Sequence, residues 1–153
     1  MTYEELLRIA DQEGIIVKEK PLLESDGRIY GYRIAIRKNI PTATEKACVL
    51  AEELGHHYTA VGNILDTSTA FGRKLEQAGR LFAYNCMIGL IGIANAYKSG
   101  CRNQYEMAEF LGVTEEFLKE SLKCYRQKYG HYVLINNYII YFEPYLAVIE
   151  RTD

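Results

Sequence analysis

"LAEELGHHYTAVGN", Leu50 to Asn63, decides how the rest of the chain is read. Apolar residues at 47, 50, 51, 54 and 58 recur at helical spacing, and Thr42 with Glu45 three positions on makes a capping box just after Pro41. A helix therefore runs through the stretch, with one stripe facing a core. On it, Glu52 and His56 lie one turn apart and can converge on one point, while Glu53 is displaced to the neighbouring angle. Gly55 sits inside the helix, where glycine costs roughly 1 kcal/mol relative to alanine and marks the close approach of another element.

Zinc hydrolases ask the same of H-E-x-x-H: two ligands at i and i+4 and, between them, a carboxylate that takes a proton from the water the ion activates. Here the pattern is E-E-x-x-H. A carboxylate at the first position is chemically allowed, because its oxygen binds zinc at about the distance of a histidine nitrogen. The competing reading is a charged, solvated helix face. The shifted register, Glu53 with His57, also has ligand spacing but puts Leu54 where the base belongs, so it supports binding and not hydrolysis. Cys48, one turn before Glu52, reads as packing or as a further donor.

A third ligand has to come from elsewhere. A histidine six residues after His56 would make a metzincin, and that position is Gly62. Downstream, Glu76 in "RKLEQAGRLFAYN" is the best candidate; its spacing equally allows an i, i+4 ion pair with Arg80.

Around the motif the chain reads as one compact α+β protein of 153 residues. Thr2 and Glu5 open a short helix ending near Gly14. "IIVKEK" and "RIYGYRIAIRK" follow as two or three strands, with Asp26-Gly27 as the turn before the second. After the motif helix come a loop around Gly62–Thr67 and one long helix from about Ser68 to Lys98, ended by Gly100. Its apolar run, Leu81–Tyr97, is shorter than the roughly 20 residues of a spanning helix and carries two asparagines and two glycines, so no membrane association is expected. The absence of a basic segment followed by an apolar one at the start argues against export. Four cysteines without C-x-x-C spacing suit reduced thiols in a cytoplasm.

These residues resemble the ImmA/IrrE-type metallopeptidases of Gram-positive phages and integrative elements. The resemblance spans nearly the whole chain: "GRIYGYRIAIRKNIPTATEKACVLAEELGHHYT", a downstream E-x-x-A-x-x-F/W-A motif, and "NYIIYFEP". At the second of these, Gly79 stands in place of the usual alanine and Arg80 in place of the usual Asn or Asp. The resemblance implies Glu52, His56 and Glu76 as metal ligands and Glu53 as general base, with zinc the expected ion. Glu52 adds a negative charge to the usual His₂Glu set, which makes Mn²⁺ more competitive. Phage-type members share "AEELGHH", which makes Glu52 a trait of that group. The implied activity is cleavage or inactivation of a phage-type repressor, with a non-catalytic metal-binding or repressor-interaction protein as the alternative.

The C-terminal third adds a rival reading. "YEMAEFLGVTEEFL" fits a helix-turn-helix: Ala108 permits close crossing, Gly112 supplies the turn, and Thr114 caps the second helix. A hairpin turning at Asn136-Asn137 could serve as a wing. The second helix, however, would lead with Glu115 and Glu116. Residues 101–153 carry 6 Lys/Arg against 8 Asp/Glu, and residues 1–100 carry 12 of each. No segment has the basic excess that a nucleic-acid partner requires. A protein partner is expected instead. Six of the 13 tyrosines fall at 125, 129, 132, 138, 141 and 145, as a sheet-to-helix core or a partner surface. The expected organisation is a metallopeptidase-like core over 1–100, built as a zincin-like helix on a small sheet, and a helix-turn-helix-like and hairpin subdomain over 101–153.

Overall fold

A computed structural model describes residues 1–59 and 69–152; the loop expected around Gly62–Thr67 lies outside the described residues. The order is α1 (Tyr3–Gln12), β1 (Ile16–Lys20), β2 (Gly27–Tyr30), β3 (Arg33–Arg37), α2 (Ala43–Thr59), α3 (Ala70–Met87), α4 (Gly89–Lys98), α5 (Gln104–Leu111), α6 (Glu115–Tyr129), β4 (Tyr132–Ile135), β5 (Tyr138–Tyr141) and β6 (Ala147–Glu150). The class is the α+β expected. No helix among the described residues is long and apolar enough to cross a membrane.

Two compact units result, Met1–Cys86 and Met87–Asp153. The boundary precedes the division expected at residue 100, because the long helix expected from Ser68 to Lys98 is two helices. Ile88 leaves helical geometry at φ −124° and ψ −75°, and Gly89 takes φ +66°, a conformation open to glycine and costly for other residues. Helix α4 therefore belongs with the C-terminal unit.

In the first unit, the Thr2/Glu5 capping box forms as read and starts α1. The sheet has the order β1-β3-β2, with β1 parallel and β2 antiparallel to the central β3. Alternation along β3 turns Ile34 and Ile36 into the core, where Leu50, Ala51 and Leu54 of α2 are also buried. Asp26 holds the start of β2 in place: its backbone carbonyl accepts from Arg37 N–H at 2.8 Å and its side chain from Arg37 Nε at 2.8 Å. Glu45 N donates to Thr42 Oγ1 at 3.1 Å, while Thr42 N donates to Glu45 Oε2 at 3.2 Å, so the second capping box also forms. One stripe position differs from expectation. Tyr58 is 41 % exposed and packs its ring on Phe82, centroids 4.9 Å apart, instead of entering the core.

Gly55 explains itself here. A Cβ built on it would collide with the carbonyl oxygen of Gly79, and a Cβ on Gly79 would come within 3.3 Å of His56 N and 2.7 Å of His56 Nδ1. Two glycines thus bring α2 and α3 together with backbone against backbone.

In the second unit, Asn103 and Thr114 cap α5 and α6, and Gly112 joins them in the left-handed conformation at φ +70°. Ala108, Val113 and Leu118 are buried at that junction. The hairpin turns at Asn136-Asn137, with Asn136 at φ +51°, and β6 pairs with β5 as a third strand beyond the hairpin expected. Tyr125 and Tyr138 lie in this unit's core, and Tyr132 and Tyr145 outside it.

The crossing makes a stability prediction. In an ordinary helix interior Gly→Ala gains up to about 1 kcal/mol. Gly55→Ala meets backbone that cannot rotate away, so the helices must separate, and overpacking of this kind costs about 1–3 kcal/mol. Urea denaturation should show Gly55→Ala less stable than wild type; an unchanged or raised midpoint contradicts the crossing.

Candidate active site

The site grows out of that crossing. His56 follows Gly55 on α2, and Glu76 lies one turn before Arg80 on α3, so the close approach at Gly79 brings the histidine to the glutamate. His56 Nε2 and Glu76 Oε2 are 3.5 Å apart, and both side chains are mostly buried. Burial lowers the pKa of His56, against the pull of Glu76 and with the help of Arg80, so the imidazole is held neutral. The contact is then no ion pair, and it is too long for a good hydrogen bond. Two ligand atoms sharing a tetrahedral ion at zinc distances lie roughly 3.3–3.5 Å apart, which is the spacing found. His56 Nδ1 is buried with no hydrogen-bond partner. Neither imidazole nitrogen is committed to a protein group, which leaves Nε2 available as a donor. The pair fits a divalent ion.

Glu53 sits where α2 meets the sheet. A Cβ on Gly27, the first residue of β2, would come within 2.9 Å of Glu53 Oε1 and 2.8 Å of Val49 Cγ1, so the glycine makes room for the carboxylate. Burial pushes the Glu53 carboxyl up to about 7, with the charges of Glu52 and Glu76 adding to the effect. A base that titrates near neutrality is suited to both accepting and returning a proton.

Other candidates lie differently. The other oxygen of Glu76, Oε1, accepts from Arg80 Nε at 3.0 Å, so the ion pair allowed by the spacing is present together with the approach to His56. The His57 ring lies edge-on between Tyr32 at 5.0 Å and Tyr58 at 5.3 Å. Cys48 is buried in the helix stripe. Among the described residues, no group of three or more His, Cys, Asp or Glu is gathered closely enough to hold a metal, so Glu52 is not drawn into one cluster with His56 and Glu76. Glu52 acts on its neighbours through charge, raising Glu53 and contributing to the field at Arg80. Gly27 was legible only as a turn residue, although a glycine opening a strand also signals close approach.

The sequence profile of the IrrE N-terminal-like domain, the M78 peptidase family, matches residues 10–123. The chain belongs to that family. It is a peptidase-like protein of the ImmA/IrrE type, and the family is generally one of metallopeptidases, which implies a divalent metal. No curated protein and no solved structure matched the chain. The match covers both α2 with the E-E-x-x-H pattern and α3 with Glu76.

The Glu53 environment gives a prediction for the metal-free protein in chelator. Its carboxyl holds its proton more tightly folded than unfolded, so its contribution to stability falls as pH rises from its ordinary 4.5 to about 7. His56 acts oppositely, losing stability as pH falls below its ordinary 6.5, but it is present in both proteins compared. Glu53→Gln should therefore stabilise the protein more at mildly alkaline pH than at acidic pH. The difference is on the order of 3 kcal/mol. A mutational effect independent of pH, measured by chemical denaturation, contradicts the buried-carboxyl assignment.

Proposed function

We propose that the protein is a metal-dependent peptidase that cleaves, and so inactivates, a phage-type repressor carried by a phage or mobile element. The observation that carries this reading is the facing of His56 Nε2 and Glu76 Oε2 at 3.5 Å, unbonded, on two helices of an M78-family fold. His56 and Glu76 would hold the ion; Glu52, one turn before His56 on α2 and not gathered with the pair, would have to turn in to serve as third donor. Zinc is the first choice, and the carboxylate-rich donor set keeps Mn²⁺ competitive. Once bound, the ion supplies Lewis-acid polarisation of the scissile carbonyl and acidifies the attacking water. Glu53 is the residue that would take a proton from an attacking water and pass it to the leaving amine.

Four cysteines without C-x-x-C spacing, Cys48, Cys86, Cys101 and Cys124, support a reducing cytoplasm as the setting. Glu115 and Glu116 in the first turn of α6 support a protein partner over DNA, since carboxylates there oppose phosphate. A second reading, a repressor-binding protein without turnover, is favoured by the lack of a gathered three-donor group among the described residues.

Metal uptake and cleavage separate the two. Purified protein should bind about one Zn²⁺ or Mn²⁺ per chain, more weakly at acidic pH as His56 protonates. Glu53→Gln should keep the metal and lose cleavage of a co-encoded repressor by at least about 100-fold, a typical general-base contribution, and His56→Ala should lose both. Metal binding with no cleavage of that repressor establishes the binding protein instead.

A further inference from the structure

Glu76 uses its two oxygens differently. Oε1 accepts a hydrogen bond from Arg80 Nε at 3.0 Å, one turn along α3, while Oε2 faces His56 Nε2 at 3.5 Å. The last torsion of a glutamate is broad and shallow, so an unheld carboxylate can present either oxygen or turn toward solvent. Bound at Oε1, it presents Oε2. The contact is a single one, from Nε of a rigid planar guanidinium, so the direction of the bond to Oε1 is fixed. Arg80 also lies in the field of Glu52 as well as of Glu76, so it is a cation that faces these carboxylates.

We propose that Arg80 is a positioning residue of the site: it clamps Oε1 of Glu76 and so holds Oε2 toward His56 Nε2 as a single-oxygen metal donor. The proposal rests on the metal-site reading above and assigns a role to the arginine that stands at the fourth residue after Glu76. Two effects of removing it oppose each other. Loss of a positive charge near an ion favours metal binding, but Arg80 is 52 % exposed and that effect is screened by solvent. Loss of a hydrogen bond that orients a ligand typically weakens metal affinity by about 10–100-fold. The directional effect is the larger.

Calorimetric titration of the full chain with ZnCl₂ at neutral pH tests this. Arg80→Ala, with its fold checked by circular dichroism, should bind about 10–100-fold more weakly than wild type. Arg80→Lys, which keeps an i, i+4 partner for Glu76 without the planar guanidinium, should recover part of the loss. Zinc binding by Arg80→Ala as tight as wild type, or tighter, overturns the clamp and leaves the metal reading standing. Failure of the wild type to bind zinc or manganese contradicts the metal reading alone. The clamp is then decided by crystals of wild type and Arg80→Ala grown in chelator. Separation of Glu76 Oε2 from His56 Nε2 in the variant, beyond the 3.5 Å of the wild type, supports it, and an unchanged separation overturns it.

Discussion

Backbone contact between α2 and α3 at Gly55 and Gly79 is the constraint on which the site depends. A side chain at position 55 would strike the Gly79 carbonyl, and one at 79 would strike the His56 ring. Any larger residue pushes the helices apart, and His56 and Glu76 move with them. Glycine in two helices costs propensity, and in exchange the crossing holds His56 against Glu76. A third glycine makes room for a side chain: Gly27 of β2 leaves space for the Glu53 carboxylate.

The chemistry of the site follows from how little of its charge is neutralised. Three carboxylates, Glu52, Glu53 and Glu76, share a region in which His56 is held neutral and Arg80 bonds one oxygen. Glu53, raised chiefly by its burial and further by the charges of Glu52 and Glu76, keeps its proton up to about neutral pH. Such an arrangement would favour a divalent cation, which would in turn relieve the repulsion that adds to the effect of burial on Glu53. Electrostatics and packing therefore point to one place on the molecule, the α2–α3 crossing.

Much of this was legible in the sequence because it is local. Thr2 with Glu5 and Thr42 with Glu45 started the helices they were expected to start, and Asn136-Asn137 turned its hairpin. Family membership was legible in the E-E-x-x-H helix and its flanks, as the match over residues 10–123 shows. What could not be read depends on long-range pairing or on a single backbone angle. The parallel partnership of β1 with β3, across an intervening strand, has no local signal. The split of the expected long helix rests on Gly89 taking φ +66°, and a glycine in an apolar run permits that without requiring it. Spacing alone offered Glu76 either to Arg80 or to an ion; in the structure, its two oxygens serve Arg80 and face His56.

The central claim is that the crossing assembles a metal site from α2 and α3. Anomalous diffraction from crystals soaked in zinc, with data collected on both sides of the zinc absorption edge, tests it most directly. The account predicts a single peak bonded to His56 Nε2 and Glu76 Oε2. A zinc peak held by other residues, or no peak at His56 in crystals that remain ordered, contradicts it.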